Sequence, residues 1–176
     1  SMYDAISEYG KMNVRDMSDT EIFDTIKKHG SELEKPAARG EMITELFELV
    51  AEEHLWEPTF LTDYPVEVSP LTKHHREDHA LVERFELFIA GMELANSYSE
   101  LNDPEEQLKR LKEQEAQRAT NEEAQPMDEN FIHAIDVGMP PTGGVGLGVE
   151  RLVMLLTGKE SIRDIILFPT LRPQAD

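Results

Sequence analysis

The run Gly143-Gly144-Val145-Gly146-Leu147-Gly148-Val149-Glu150-Arg151-Leu152 constrains this chain more than any other stretch. Glycine alternates with aliphatic residues, and an acid–arginine pair then opens an amphipathic segment. Alternation predicts a strand. Gly144, Gly146 and Gly148 leave one face of that strand without side chains, so a flat ligand can lie against the backbone. Arg151 falls in the first turn of the helix that follows, beside the cleared face, where a guanidinium can stack on a purine ring and reach a phosphate. Two familiar phosphate-binding patterns do not fit. No G-x-G-x-x-G register matches these glycines, and Gly158-Lys159 is followed by Glu160 rather than Ser or Thr.

The rest of the chain alternates helix and strand signals. Ser18-Asp19-Thr20-Glu21 is a capping box, with Ile22, Phe23 and Ile26 on one face behind it and Gly30 as a stop. Residues 41–55 carry Ile43, Leu46, Phe47 and Val50 at helical spacing. Residues 58–62 read as a buried strand and 66–80 as a polar connection. Residues 81–100 give the main β signal, a hairpin turning at Ala90-Gly91. Asp103-Pro104-Glu105-Glu106 starts a helix expected to run to about Arg118 and, with few apolar residues (Leu108 and Leu111), to lie mostly exposed. A polar loop is expected over 119–126, then a short helix capped by Asp128 and stopped by Gly138. The glycine strand and a helix over 149–156 close the pattern, which indicates an α+β or α/β architecture.

Glu86 stands in a strand otherwise rich in apolar residues. A two-residue turn at Ala90-Gly91 would pair Phe88 with Glu93 and Glu86 with Ala95. Glu86 and Glu93 would then be diagonal neighbours on one face, roughly 7–8 Å apart at the backbone. Two such carboxylates can share a hard divalent cation, or can be two acids on a wet face. Asn96, Tyr98 and Glu100 share parity on the returning strand, and Glu93 has the opposite parity. All four can line one pocket only if a bulge intervenes near Leu94-Ala95. His74, His75 and His79 lie in a charged loop without thiolates, a pattern that argues against a zinc site. His29, His54 and His133 are expected to be structural, and Trp56 to be a packing anchor.

Several stretches together resemble class II lysyl-tRNA synthetases. The glycine run is similar to motif 3 of class II aminoacyl-tRNA synthetases. Tyr64-Pro65-Val66-Glu67-Val68-Ser69-Pro70-Leu71, Arg84-Phe85-Glu86-Leu87-Phe88, the run from Glu93 to Asp103, and Ile165 to Pro173 carry the likeness from about Met2 onward. The resemblance implies an α+β fold, an antiparallel sheet flanked by helices, with substrate- and ATP-site strands over 57–101 and 142–157 and a helical insertion over 103–137. It implies activation of lysine with ATP and Mg²⁺, then transfer to tRNA. Within it, Glu86 and Glu93 would hold the metal with ATP, and Gly146, Gly148 and Arg151 would meet the nucleotide, Arg151 in a catalytic role. Asn96 would bind the substrate carboxylate, Tyr98 would cover the aliphatic stem where Phe is also found, and Glu100 would receive the ε-ammonium. The full enzymes are cytoplasmic homodimers with an anticodon-reading OB-fold and with motifs 1 and 2. None of these three patterns is found here, so the chain reads as the C-terminal part of a catalytic domain, inactive alone, and Ser1-Met2 as the scar of a removed tag.

Composition narrows the alternatives. The 176 residues carry a formal charge of −19 with no dense Lys/Arg cluster, a poor profile for gripping tRNA unaided. There is no Cys and no apolar run near 18 residues, so neither a disulfide framework nor a membrane span is expected and a soluble cytoplasmic protein is the default. Two other readings stay open: a non-catalytic synthetase-like binding module that associates through open sheet edges, and a shortened paralogue that ligates a lysine-like group to a protein.

Overall fold

A computed structural model describes residues 1–117 and 126–169. Most of the expected loop over 119–126 and the end of the motif running to Pro173 lie outside the described residues. The chain starts with α1 (Met2–Gly10), which sequence reading had not anticipated. Ser1 caps it through a reciprocal capping box with Asp4, and Met2 is fully buried. Then come α2 (Asp19–Lys28), capped by Ser18 and Glu21 as expected, and α3 (Arg39–Val50). α3 stops short of residue 55 because Glu52–His54 tightens into a 3₁₀ turn.

Four antiparallel strands follow in spatial order equal to chain order: β1 (Thr59–Pro65), β2 (Leu81–Ile89), β3 (Met92–Ser99) and β4 (Gly143–Leu147). The architecture is α+β. Ala90 and Gly91, both at positive φ (55° and 69°), turn the β2–β3 hairpin, the backbone that a two-residue loop requires. Between β3 and β4 the chain forms α4 (Pro104–Gln117) and α5 (Glu129–Gly138); α6 (Val149–Thr157) comes last.

The core lies between α1, α2, α3 and one face of β1–β2. Ile6, Ile22, Ile26, Ile43, Leu46 and Phe47 meet Leu61, Tyr64, Val82 and Phe88 there. The opposite face carries Phe60 and Phe85 in edge-to-face contact (5.3 Å, 87°), both exposed. Trp56 is 69% exposed and is not a packing anchor. Its backbone makes the tertiary contact instead, its carbonyl accepting from Ala90 N at 2.9 Å.

α4 is less exposed than its scarcity of apolar residues suggests. Besides Leu111, its inner face buries Gln107 and Arg110. Gln107 Nε2 donates to the Pro70 carbonyl (3.0 Å) and Arg110 Nη1 to the Thr72 carbonyl (2.7 Å), while Arg110 Nε donates to Glu106 (2.9 Å). Polar side chains thus dock this helix on the 66–80 connection, and hydropathy periodicity does not register such contacts.

Leu46 is fully buried at the centre of the helical layer. Leu46→Ala is expected to cost about 2–5 kcal/mol through lost burial and the cavity left behind. Urea denaturation measures this, and a loss below about 1 kcal/mol would mean that the packing described is not the one that holds the fold.

A candidate substrate and nucleotide face

The strand register places the predicted residues in rows across one sheet face. Leu61 pairs with Glu86, Glu86 with Asn96, and Asn96 with Gly146. Arg84 pairs with Tyr98, and Tyr98 with Gly144. Phe88 pairs with Glu93, as the turn predicts, but Glu86 faces Asn96 rather than Ala95. The cause is the bulge foreseen near Leu94-Ala95. Leu87 pairs with Ala95 and Phe88 with Glu93, so Leu94 is the extra residue. Because facing residues point the same way, Glu86, Glu93, Asn96, Tyr98, Gly144 and Gly146 share a face.

Glu86 is buried and bound by two donors. Tyr64 Oη donates to Oε2 at 2.6 Å, and Arg84 Nη2 donates to Oε1. Burial first, and the Glu86 carboxylate next, push the Tyr64 phenol well above its ordinary range, so it stays a donor. Arg84 lies 4.4 Å from the Tyr64 ring centroid. Arg84, Tyr64 and Glu52 were not singled out from sequence. Arg84 shares strand parity with Glu86, and Tyr64 opens one of the stretches that carry the resemblance, signals that were available; Glu52 had none. The Glu52 carboxyl, in the turn after α3, is raised by burial and then by the charges of Glu86 and Glu93.

Arg151, in the first turn of α6, donates through Nη1 to the Glu93 carbonyl and approaches Glu93 Oε2 at 3.4 Å. Its side chain is half-exposed, which leaves part of the guanidinium available. Gly148 N donates to the Leu94 carbonyl (2.8 Å), extending the β3–β4 ladder by one bond past Leu147. A hollow of about 320 Å³ beside these residues is lined by Glu93, Asn96, Gly146, Gly148 and Arg151. Glu100 lines a separate hollow of about 440 Å³ with His74, His75 and Thr142.

Glu100 is placed by backbone bonds around it. Lys73 N donates to Ser99 O (2.8 Å), Leu101 N to Leu71 O (3.0 Å) and Glu100 N to Thr142 O (2.9 Å). Burial raises its carboxyl. The glycines differ in what they accommodate. A methyl at Gly146 would meet only the Asn96 carbonyl at 3.8 Å, so no protein atom requires glycine there. A methyl at Gly144 would overlap a Glu100 carboxylate oxygen.

The metal question turns on the donors. Glu86 and Glu93 carry hard oxygens, each with a lone pair left beyond its protein contacts, and Mg²⁺ needs only one or two carboxylates when phosphate supplies the rest. The pair fits that partial role. Among the described residues no three His, Cys, Asp or Glu come together as a protein-only cage. His74 stacks on His79 (5.1 Å) and contacts Glu106 (3.3 Å).

Residues 1–172 match the family described as tRNA synthetases class II (D, K and N). The chain is 50% identical over 178 residues to the lysine–tRNA ligase of Thermoanaerobacter pseudethanolicus, covering 100% of this chain and 36% of that protein. It is 51% identical over 174 residues to the lysine–tRNA ligase of Methanoculleus marisnigri, covering 98% and 34%. A third, from Moorella thermoacetica, is 54% identical over 148 residues, covering 84% and 30%. The chain therefore spans about a third of the length of these curated relatives.

Gly144→Ala separates site geometry from stability. The overlapping atom is the far end of a flexible side chain, so stability is expected to fall by less than about 1 kcal/mol while the Glu100 carboxylate swings away. Side-chain carboxyl NMR and a denaturation curve measure the two effects. An unmoved Glu100, or a loss of several kcal/mol, would contradict the packing described.

Proposed function

Because the chain belongs to the class II tRNA synthetases of the D, K and N family, we propose that it is the part of a lysine–tRNA ligase that selects lysine and meets ATP. The observation that carries this reading is the register that sets Glu86, Glu93, Asn96, Tyr98 and the cleared glycines on one face. In the proposed reaction a lysine carboxylate oxygen attacks the α-phosphorus of ATP. An acyl C–O–P linkage forms, the bond to the bridging oxygen breaks, and pyrophosphate leaves; a tRNA hydroxyl then attacks the acyl carbon, the acyl C–O bond to phosphate breaks, and AMP leaves. These steps belong to a protein that contains these residues, and the 176 residues alone are expected to be inactive.

Each residue has a physical task. The Asn96 amide donates to the lysine carboxylate and orients it. Tyr98 covers the methylene stem, and Glu100 neutralises the ε-ammonium, which would otherwise be stranded away from water. Gly146 and Gly148 let the nucleotide approach the backbone, and Arg151 stacks on its base and offsets phosphate charge. Glu86 and Glu93 would hold Mg²⁺, which when bound supplies charge neutralisation at the phosphate oxygens. The residues 57–101 and 142–157 form the site in this proposal, with 103–137 as an insertion. Among the described residues no helix is long and apolar enough to cross a membrane. The complete protein is expected to be a cytoplasmic homodimer.

Glu100→Gln in the complete protein should raise the lysine KM by roughly 2–5 kcal/mol equivalents, at least about thirtyfold, with the ATP KM nearly unchanged. Because burial raises the Glu100 carboxyl, acidification should remove its charge at a higher pH than for an ordinary Glu. Lysine affinity is thus present above that raised value and lost as pH falls through it, and Gln should abolish this dependence. ATP–pyrophosphate exchange across a lysine titration at several pH values tests both; a parent-like lysine KM in the variant would remove Glu100 from the specificity role.

Glu93→Gln should instead raise the Mg²⁺ requirement and slow activation on the order of a hundredfold. A magnesium titration of the same exchange reaction checks it, and unchanged magnesium dependence would leave the metal role unsupported.

A further inference from the structure

Arg84 is tied to two of the residues given tasks above, and its geometry deepens the proposed function, on which the following rests. The guanidinium carries five N–H donors and no acceptor. Nε donates to Asn96 Oδ1 at 3.1 Å; Nη1 donates to Ser69 Oγ (2.8 Å) and to the Val68 carbonyl (3.3 Å); Nη2 donates to Glu86 Oε1. An Asn side chain can face a pure donor only with its oxygen. The orientation of the Asn96 amide is therefore not free: Arg84 takes the oxygen, and the NH₂ group is left facing away from it with two donors to offer.

We propose that Arg84 is the positioning residue that sets the polarity of the amino-acid carboxylate site, by locking Asn96 with its NH₂ toward the substrate and its oxygen toward the protein. The consequence is specific. An unlocked amide can rotate and present its oxygen to the substrate carboxylate, which repels it. Arg84 does this without touching substrate, and its anchors on Ser69 and Val68 hold the fork in place from the connection before β2. Lysine at position 84 cannot substitute, because a single ammonium cannot span Asn96, Ser69 and Glu86 in fixed directions.

The test is a double-mutant cycle in the complete protein, read as the lysine KM of ATP–pyrophosphate exchange at saturating ATP and Mg²⁺. Arg84→Lys and Asn96→Ala should each raise that KM about tenfold or more, and in the Asn96→Ala background Arg84→Lys should change it less than about threefold. An unchanged KM in Arg84→Lys, or its full effect persisting without Asn96, would overturn the proposal. Asn96→Asp supplies an arm that does not disturb Arg84. It keeps an acceptor for the guanidinium and deletes the donors, so its lysine KM should rise at least about tenfold. A parent-like lysine KM in Asn96→Asp would equally overturn the assignment. If the parent activates another amino acid, the lysine reading fails separately. The same cycle run on that amino acid's KM then decides the role of Arg84, since every amino acid presents the same carboxylate.

Discussion

The register of β3 carries one residue more than its partner strand, and the site depends on that surplus. Leu94 is unpaired in the ladder, with Glu93 opposite Phe88 and Ala95 opposite Leu87. Without it, strict alternation would send Glu93 to the face opposite Asn96, because a shift of one residue turns every later side chain over. The bulge lets a metal-ligand candidate and the amino-acid contacts occupy one face of one hairpin. Leu94 also has a second task, since its carbonyl accepts from Gly148 N and so fixes where the glycine strand gives way to α6.

Charge burial is handled locally on that face. Glu86 loses water but gains Tyr64 and Arg84 as donors, and Arg84 in turn is satisfied by Asn96, Ser69 and Val68. Such a network is high-stakes: removing one partner leaves another buried and unpaired, at a cost well above that of the lost bond. It also restricts side-chain freedom before any ligand arrives, which reduces the ordering needed on binding. Glu100 is held differently. Its backbone is laced to residues 71–73 and 142, while its carboxylate occupies the space left by Gly144.

The same logic explains α4. Gln107 and Arg110 dock this helix onto the backbone of the connection at Pro70 and Thr72, Glu106 holds the Arg110 guanidinium, and Thr72 bridges to Glu100. A segment that looks polar and detached by composition thus supports the loop beside the candidate specificity residue.

Much of this was legible in the residues themselves, wherever the signal is local. The capping box at Ser18, the Asp128 cap, the turn at Ala90-Gly91, the glycine strand and the helix after it are all specified by neighbours within a few positions, since caps and turns satisfy their own backbone groups. Parity showed that Glu93 and Asn96 could share a pocket only with a bulge near Leu94-Ala95. Other features were decided only by tertiary contact. Trp56 stays exposed and Gln107 becomes buried because burial depends on what packs opposite, which neither residue's hydropathy encodes. Glu52 approaches Glu86 and Glu93 only because α3 ends over the hairpin. Arg84 reaches Asn96 on the neighbouring strand and Ser69 in the connection before β2. Local periodicity sets which way a side chain points; which groups it meets there depends on residues distant in the chain, brought close by packing the helical layer onto the sheet.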